Sequence, residues 1–123
     1  MDLHTDVRSV DSVSIVEVSG DVDVWTAESL RGALQRAQAL GNPHTVVDLS
    51  NVPFVDSTGI GVLVGALKRT KEAGGSLHLV VVSPGIHKVL AITRLDQVFI
   101  LHESRDEALD AIGQESTSQP DVR

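Results

Sequence analysis

Two aliphatic runs, "TVVDL" at 45 to 49 and "LHLVVV" at 77 to 82, flank a segment whose apolar residues return every three or four positions. Val46, Val47 and Leu49 read as one buried strand, and Leu77, Leu79, Val80, Val81 and Val82 as another. Between them Ile60, Leu63, Val64 and Leu67 fall at i, i+3, i+4 and i+7, which predicts a helix. Strands that read as continuous apolar runs are covered on both faces, and a helix linking two of them implies a crossover. The chain must therefore build a sheet with helices packed on it.

The flanking segments extend this pattern. "VSIVEVSG" at 13 to 20 alternates Val13, Ile15 and Val18 with polar neighbours, as a half-buried strand does. "DLHTDVRSV" before it is a weaker strand, with Asp11 and Ser12 placed to turn a hairpin. From Thr26, a candidate N-cap, Leu30, Ala33, Leu34 and Ala37 share one helical face until Gly41, Asn42 and Pro43 end it. Gly74-Gly75 stops the central helix behind Lys68, Arg69 and Lys71. Ser83 and Pro84 open a short helix holding Ile86, Val89 and Leu90. "VFIL" is a last short strand, and Ser104 with Glu107 forms a capping box for a helix through Ala108, Leu109 and Ile112. The order strand, strand, helix, then three strand-helix repeats predicts a single α/β domain over residues 1–113. Its sheet is expected to be mixed and mostly parallel, with about five strands and about four helices. Residues 114–123, "QESTSQPDVR", carry no apolar periodicity and are expected to form a frayed tail.

Composition removes several functions. Seventeen acidic residues against ten basic ones give a net charge of -7, a field that repels nucleic acid and anionic membrane. Two Phe, one Trp and no Tyr leave no aromatic platform for stacking bases. The absence of Cys excludes disulfides and thiolate metal sites. His4, His44, His78, His87 and His102 show no metal-ligand spacing and are expected to be solvated or capping, with no cofactor. Without a charged n-region, an apolar h-region or eighteen consecutive apolar residues, a soluble cytoplasmic protein is the expectation.

The residues most in need of explanation are Asp56, Ser57 and Thr58, where the buried strand region gives way to the central helix. Open α/β sheets place their ligand crevices at this end, and a helix N-terminus favours negative charge. Asp, Ser and Thr are also the ordinary N-cap residues. Residue type alone leaves both readings open: a cap, or a hydroxyl presented for chemistry. Gly59, Gly61 and Gly65 each weaken a helix by roughly 1 kcal/mol relative to Ala and so call for a packing reason. Close approach to the sheet is expected at Gly61 and Gly65, and Trp25 reads equally as a partner anchor or as half-buried filling.

"VVDLSNVPFVDSTGIGVLVGALKRTKEAGGSLHLVVVSPGIHKVL" closely resembles the STAS-domain anti-sigma factor antagonists of bacteria, whose signature is an aliphatic strand, D-S-S/T-G-hydrophobic-G, and a helix ending in Gly-Gly. "VEVSGDVDVWTAESLRGAL" is similar to the family's G-x-x-D segment and first helix, and "SPGIHKVLAITRLDQVFILHES" to its last third. Arg94 departs from the pattern, because members commonly carry Gly there. The resemblance implies a non-enzymatic regulator that binds an anti-sigma factor serine kinase. It places the phosphorylated serine at Ser57, with Thr58 a weaker acceptor and Asp23 beside the site. It further implies a phosphatase acting on the phosphoserine. Asp21, Asp23, Trp25, Asp56, Thr58, Gly59 and Ile60 are the expected partner contacts.

Two other classes compete. A nucleotide- or small-anion-binding regulatory module would use the same helix entrance, but the chain lacks G-x-x-x-x-G-K-[ST] and any lysine within "DSTGIG". A hydrolase would need a base beside Ser57, and "DSTG" is not the G-x-S-x-G elbow.

Overall fold

The computed structural model describes residues 2–117. Its elements are β1 (His4–Val10), β2 (Val13–Ser19), α1 (Ala27–Ala39), β3 (His44–Asn51), α2 (Ser57–Glu72), β4 (Ser76–Val80), α3 (Pro84–Ile92), β5 (Ile100–His102) and α4 (Arg105–Thr117), with a 3-10 turn at Leu95–Gln97. The five strands form one sheet in the order β1-β2-β3-β4-β5. β1 is antiparallel to β2 and every other pair is parallel. The expected alternation and mixed sheet both hold.

Local chemistry accounts for the turns between these elements. Asp11 and Ser12 have φ of 51° and 66°, the paired positive values that a two-residue hairpin loop needs to match strand twist. Ser83 caps α3 through its hydroxyl, with Pro84 in the first turn. Ser104 Oγ accepts from the Glu107 N–H, while the Glu107 carboxylate reaches back to the Glu103 N–H. That is the expected capping box, with its return bond displaced by one residue.

The larger part of the core lies between the sheet and α1, α2 and α3, where Leu30, Leu34, Leu63, Ile86 and Leu90 meet Val16, Val47 and Leu79. Truncating a fully buried leucine such as Leu30 to alanine is expected to cost about 2–5 kcal/mol. A smaller cluster on the opposite face joins Val13, Ile15, Val46 and Val80 to Ala108 and Ile112 of α4.

Several expectations change. β2 is buried on both faces rather than half-buried, since Ser14 and Val16 are as enclosed as Val13 and Ile15. Its position between β1 and β3, with helices on both sides, explains the difference. On α2 the inward face carries Val62 and Ala66, while Val64 turns to solvent. β4 ends at Val80, leaving Val82 exposed. His78 and His102 are buried, contrary to the expectation of solvated or capping histidines, because both lie on the sheet face that α4 covers. α4 continues through Thr117, and positions 118–123 of the expected tail lie outside the described residues.

Candidate functional site

The site is assembled by one valine. Val22 forms an isolated parallel bridge with Val55; its N–H donates to the Phe54 carbonyl at 2.9 Å, and its own carbonyl accepts from the Asp56 N–H at 3.0 Å. These bonds zip the loop after β2 onto the approach to α2. Asp21 and Asp23, on either side of Val22, are thereby brought alongside Phe54 and Asp56.

Asp23 stiffens this loop. Its carboxylate accepts from the N–H groups of Trp25 at 2.9 Å and Thr26 at 3.1 Å. The Thr26 hydroxyl donates to the Asp21 carbonyl at 2.8 Å and accepts from the Asp23 N–H at 3.0 Å. Thr26 therefore occupies the N-cap position of α1 without capping it, contrary to the sequence expectation. The loop so fixed holds Val24 and Trp25 outward, with Trp25 87% exposed. Core filling by Trp25 is ruled out.

At the α2 entrance the two readings separate cleanly. Asp56 is the cap, accepting from the Thr58 N–H at 2.9 Å and the Gly59 N–H at 3.1 Å. Ser57 is the first helical residue, exposed, and its hydroxyl enters no hydrogen bond among the described residues. The neighbouring Thr58 is exposed as well. Capping and presentation are thus divided between adjacent side chains.

The glycines also divide. A Cβ on Gly59 would lie 2.5 Å from Val22 Cγ1 and 2.8 Å from Val55 Cγ1, so this glycine lets α2 seat against the bridge. Gly61 faces open space, and the nearest neighbour to a Cβ on Gly65 is the tip of Arg69 at 3.3 Å. The expected packing of Gly61 and Gly65 against the sheet is therefore wrong; the close approach belongs to Gly59. Gly59 and Ile60, expected as partner contacts, turn inward, and Ile60 joins the core. Gly61 is exposed one turn after Ser57.

Phe54 was not singled out from the sequence, yet it is 51% exposed beside Val22. Of the chain's three aromatic residues, Trp25 and Phe54 stand in water on this rim while Phe99 is buried. The available signal was Phe54 itself, an aromatic following a proline between a buried strand and a polar helix entrance.

Electrostatics are strongest on the other face. Arg105 of α4 contacts Asp48 Oδ2 and Glu17 Oε2, each at 2.8 Å. Burial pushes the Asp48 carboxyl up, but hydrogen bonds from the Ser50 hydroxyl and N–H, together with Arg105, outweigh it and hold the carboxyl below its ordinary range. Burial pulls the Arg105 guanidinium down, and its bonds to Asp48 and Glu17 more than restore it.

No group of three or more His, Asp or Glu side chains is arranged to hold a metal among the described residues. No helix among them is long and apolar enough to cross a membrane. Cavities of about 680 and 490 Å³ open beside α3, against Val82 and Pro84, and neither is lined by Ser57.

Residues 4–108 match the STAS domain family, and the chain belongs to it. It is 31% identical over 113 residues to the anti-sigma F factor antagonist of Paenibacillus polymyxa, covering 89% of this chain and 94% of that protein. It is 31% identical over 106 residues to the anti-sigma-B factor antagonist of Staphylococcus aureus, covering 86% and 98%. The crystal structure of an anti-sigma factor antagonist from Mycobacterium paratuberculosis superposes with a TM-score of 0.82 at 34% identity, covering 89% and 92%.

Proposed function

We propose that this protein is an anti-sigma factor antagonist that works by partner switching, with the Ser57 hydroxyl as the toggle. The observation that carries this reading is the exposed, uncommitted hydroxyl of Ser57 beside a cap that Asp56 supplies alone. In the unmodified state the rim formed by Ser57, Thr58, Gly61, Trp25, Val24 and Phe54 docks on an anti-sigma factor. That partner then releases its sigma factor. Exposed aromatic side chains are frequent binding hot spots, and two of them flank the hydroxyl. The small residues along the outer face of α2 let a partner approach the helix backbone.

The partner in this reading is a serine kinase that uses ATP. Ser57 Oγ attacks the γ-phosphorus, the Oγ–P bond forms as the bond to the ADP oxygen breaks, and the hydroxyl proton passes to a base on the kinase. The product carries about -1.5 to -2 additional charges. These arrive among Asp21, Asp23 and Asp56 on a chain whose net charge is already -7. Docking the modified rim means desolvating that charge without a counter-ion from this side, and each 1.4 kcal/mol so lost is about tenfold in affinity. A phosphatase acting on the phosphoserine restores binding.

Affinity capture from the native cell tests this, with wild-type and Ser57→Glu protein compared by mass spectrometry. A kinase retained by the wild type and lost by the variant is the expected result. Equal retention by both would overturn the switch, and nucleotide binding at the α2 entrance with no protein retained would favour the small-anion module.

A further inference from the structure

A third cavity opens at the amino-terminal end of β3. It measures about 300 Å³ and is walled by Gln38, Asn42, Pro43, Arg69 and Gly75, with Thr45 on its sheet side. Ser57 follows β3 at the strand's other end, so this cavity is separate from the toggle.

Its floor is a polar interruption of the aliphatic core. Thr45 precedes Val47 by two residues and shares its sheet face, the one under α1 and α2, where it pairs with Ser14 of β2 and Leu77 of β4. Thr45 is 3% exposed, yet its hydroxyl enters no hydrogen bond among the described residues. Ser14 differs, since its hydroxyl donates to the Ala37 carbonyl at 3.1 Å and accepts from Asn42 Nδ2 at 3.0 Å. Among the described residues no side-chain nitrogen or oxygen sealed from solvent lacks a partner, so the Thr45 oxygen is reached from the cavity. A valine there would fill the same space with no hydroxyl to desolvate.

The walls are set in advance. Gln38 Nε2 donates to the Ala66 carbonyl at 3.3 Å and to Thr70 Oγ1 at 3.1 Å, which leaves Gln38 Oε1 to accept from Arg69 Nε at 3.1 Å. Arg69 is thus oriented through Nε, while Nη1 and Nη2 meet no hydrogen-bond or carboxylate partner among the described residues. Asn42 Nδ2 is committed to the Ser9 and Ser14 hydroxyls, and its Oδ1 is open. The Ser76 N–H donates to the Pro43 carbonyl at 2.9 Å, and a Cβ on Gly75 would collide with that carbonyl. This glycine lets the two loops close on each other.

The free groups define a ligand. A guanidinium fork with both Nη groups available recognises a carboxylate at two points. Asn42 Oδ1 requires a donor, and α1 and α2 both end beside the cavity, at Ala39 and Glu72, with partially negative carbonyl ends that favour a cationic one. A hydroxyl such as that of Thr45 can serve either group. The volume lies at the low end of the roughly 300–1,000 Å³ of ligand pockets, which suits a metabolite rather than a peptide.

We infer that this cavity binds a small α-amino acid, with its carboxylate on Arg69, its ammonium group on Asn42 Oδ1, and Thr45 Oγ1 bonding to it from the floor.

Nitrogen-15 amide shifts of the full chain, titrated with L-alanine, L-lactate and propionate, test this. The probes share a carboxylate on the same carbon chain and differ only at the second carbon, which carries ammonium, hydroxyl or hydrogen. L-Alanine should give saturable shifts at Asn42, Thr45 and Gly75 and none at Ser57, below about 50 mM for so small a ligand. Lactate and propionate should each bind about tenfold more weakly or worse. Arg69→Gln, at an exposed position, and Thr45→Val, which keeps the side chain's shape, should each weaken L-alanine by about tenfold. No saturable shift with L-alanine, or equal binding of propionate, overturns the site without touching the Ser57 reading. Equal binding of lactate refutes the cationic donor, and wild-type affinity in either variant overturns the assignment of that residue.

Discussion

Replacing Gly59 or Gly61 by alanine makes the same chemical change two residues apart, with opposite expected outcomes. At position 59 the new methyl would sit 2.5 Å from Val22 Cγ1 and 2.8 Å from Val55 Cγ1, about 1 Å inside the usual carbon contact distance. Both valines are buried and β-branched, so their methyl groups have little room to rotate away. Overpacking of this kind costs about 1–3 kcal/mol, against up to about 1 kcal/mol returned by the better helix former. Gly59→Ala should therefore lose about 1–2 kcal/mol net. At position 61 nothing lies within 4 Å of the new methyl, so the helix gain of up to about 1 kcal/mol stands alone. Urea denaturation separates the two, since with a slope of about 1–3 kcal/mol per molar the midpoints should differ by roughly 1 M. The Gly61 methyl also projects from the proposed docking face one turn after Ser57, so that variant should be more stable yet bind the anti-sigma factor less well. Equal midpoints for the two variants would refute the packing account, and undiminished binding by Gly61→Ala would refute close approach of a partner to α2.

Other perturbations test separate parts of the molecule. Trp25→Ala should leave the urea midpoint unchanged, because the side chain is 87% exposed, while weakening partner binding by about 2 kcal/mol, roughly 30-fold, in titration calorimetry. Arg94 occupies the left-handed region at φ 64°, where glycine is free of the Cβ penalty; Arg94→Gly should raise stability by about 1 kcal/mol in the same urea assay. Asp48 is held below its ordinary range in the folded state, so its contribution is complete above about pH 4 and is lost as pH falls through the lowered value. Asp48→Asn should accordingly be less stable at pH 7 and show a smaller part of the loss on acidification from pH 4 to 2, followed by circular dichroism. Phosphorylation of Ser57 should shift the melting temperature by only a few degrees, since attraction to the α2 dipole of about 0.3–1 kcal/mol opposes repulsion by Asp56.

The architecture was legible because the parallel strands are written as apolar runs and the helices as faces of three- and four-residue spacing. What was lost on reading the sequence has a common cause. β2 and β4 are covered on both sides, so polar residues at alternate positions, such as Ser14 and His78, are as buried as their aliphatic neighbours. One partner of each, Ala37 for Ser14 and His102 for His78, lies more than twenty residues away. The helical period of α2 was correct but its phase was misjudged by part of a turn, exchanging Val64 for Val62. At the site, the choice between Asp56 and Ser57 as cap rests on backbone angles that residue type does not encode, and the inward turn of Gly59 follows from a valine almost forty positions upstream.

The division of labour between Asp56 and Ser57 also determines what kind of switch the proposed phosphorylation of this rim would work. Had Ser57 supplied the cap, a phosphate on its oxygen would replace a helix-terminating hydrogen bond, and modification would change the shape of the α2 entrance. Asp56 instead keeps the Thr58 and Gly59 N–H groups occupied whether or not Ser57 is modified. The Val22 bonds likewise involve only backbone atoms, which phosphorylation leaves in place. Under the proposed switch the modified and unmodified forms would therefore share one backbone and differ in charge at one exposed oxygen. A partner that discriminates between them must do so through desolvation and repulsion at the interface, so raised ionic strength should narrow the affinity gap between the two forms.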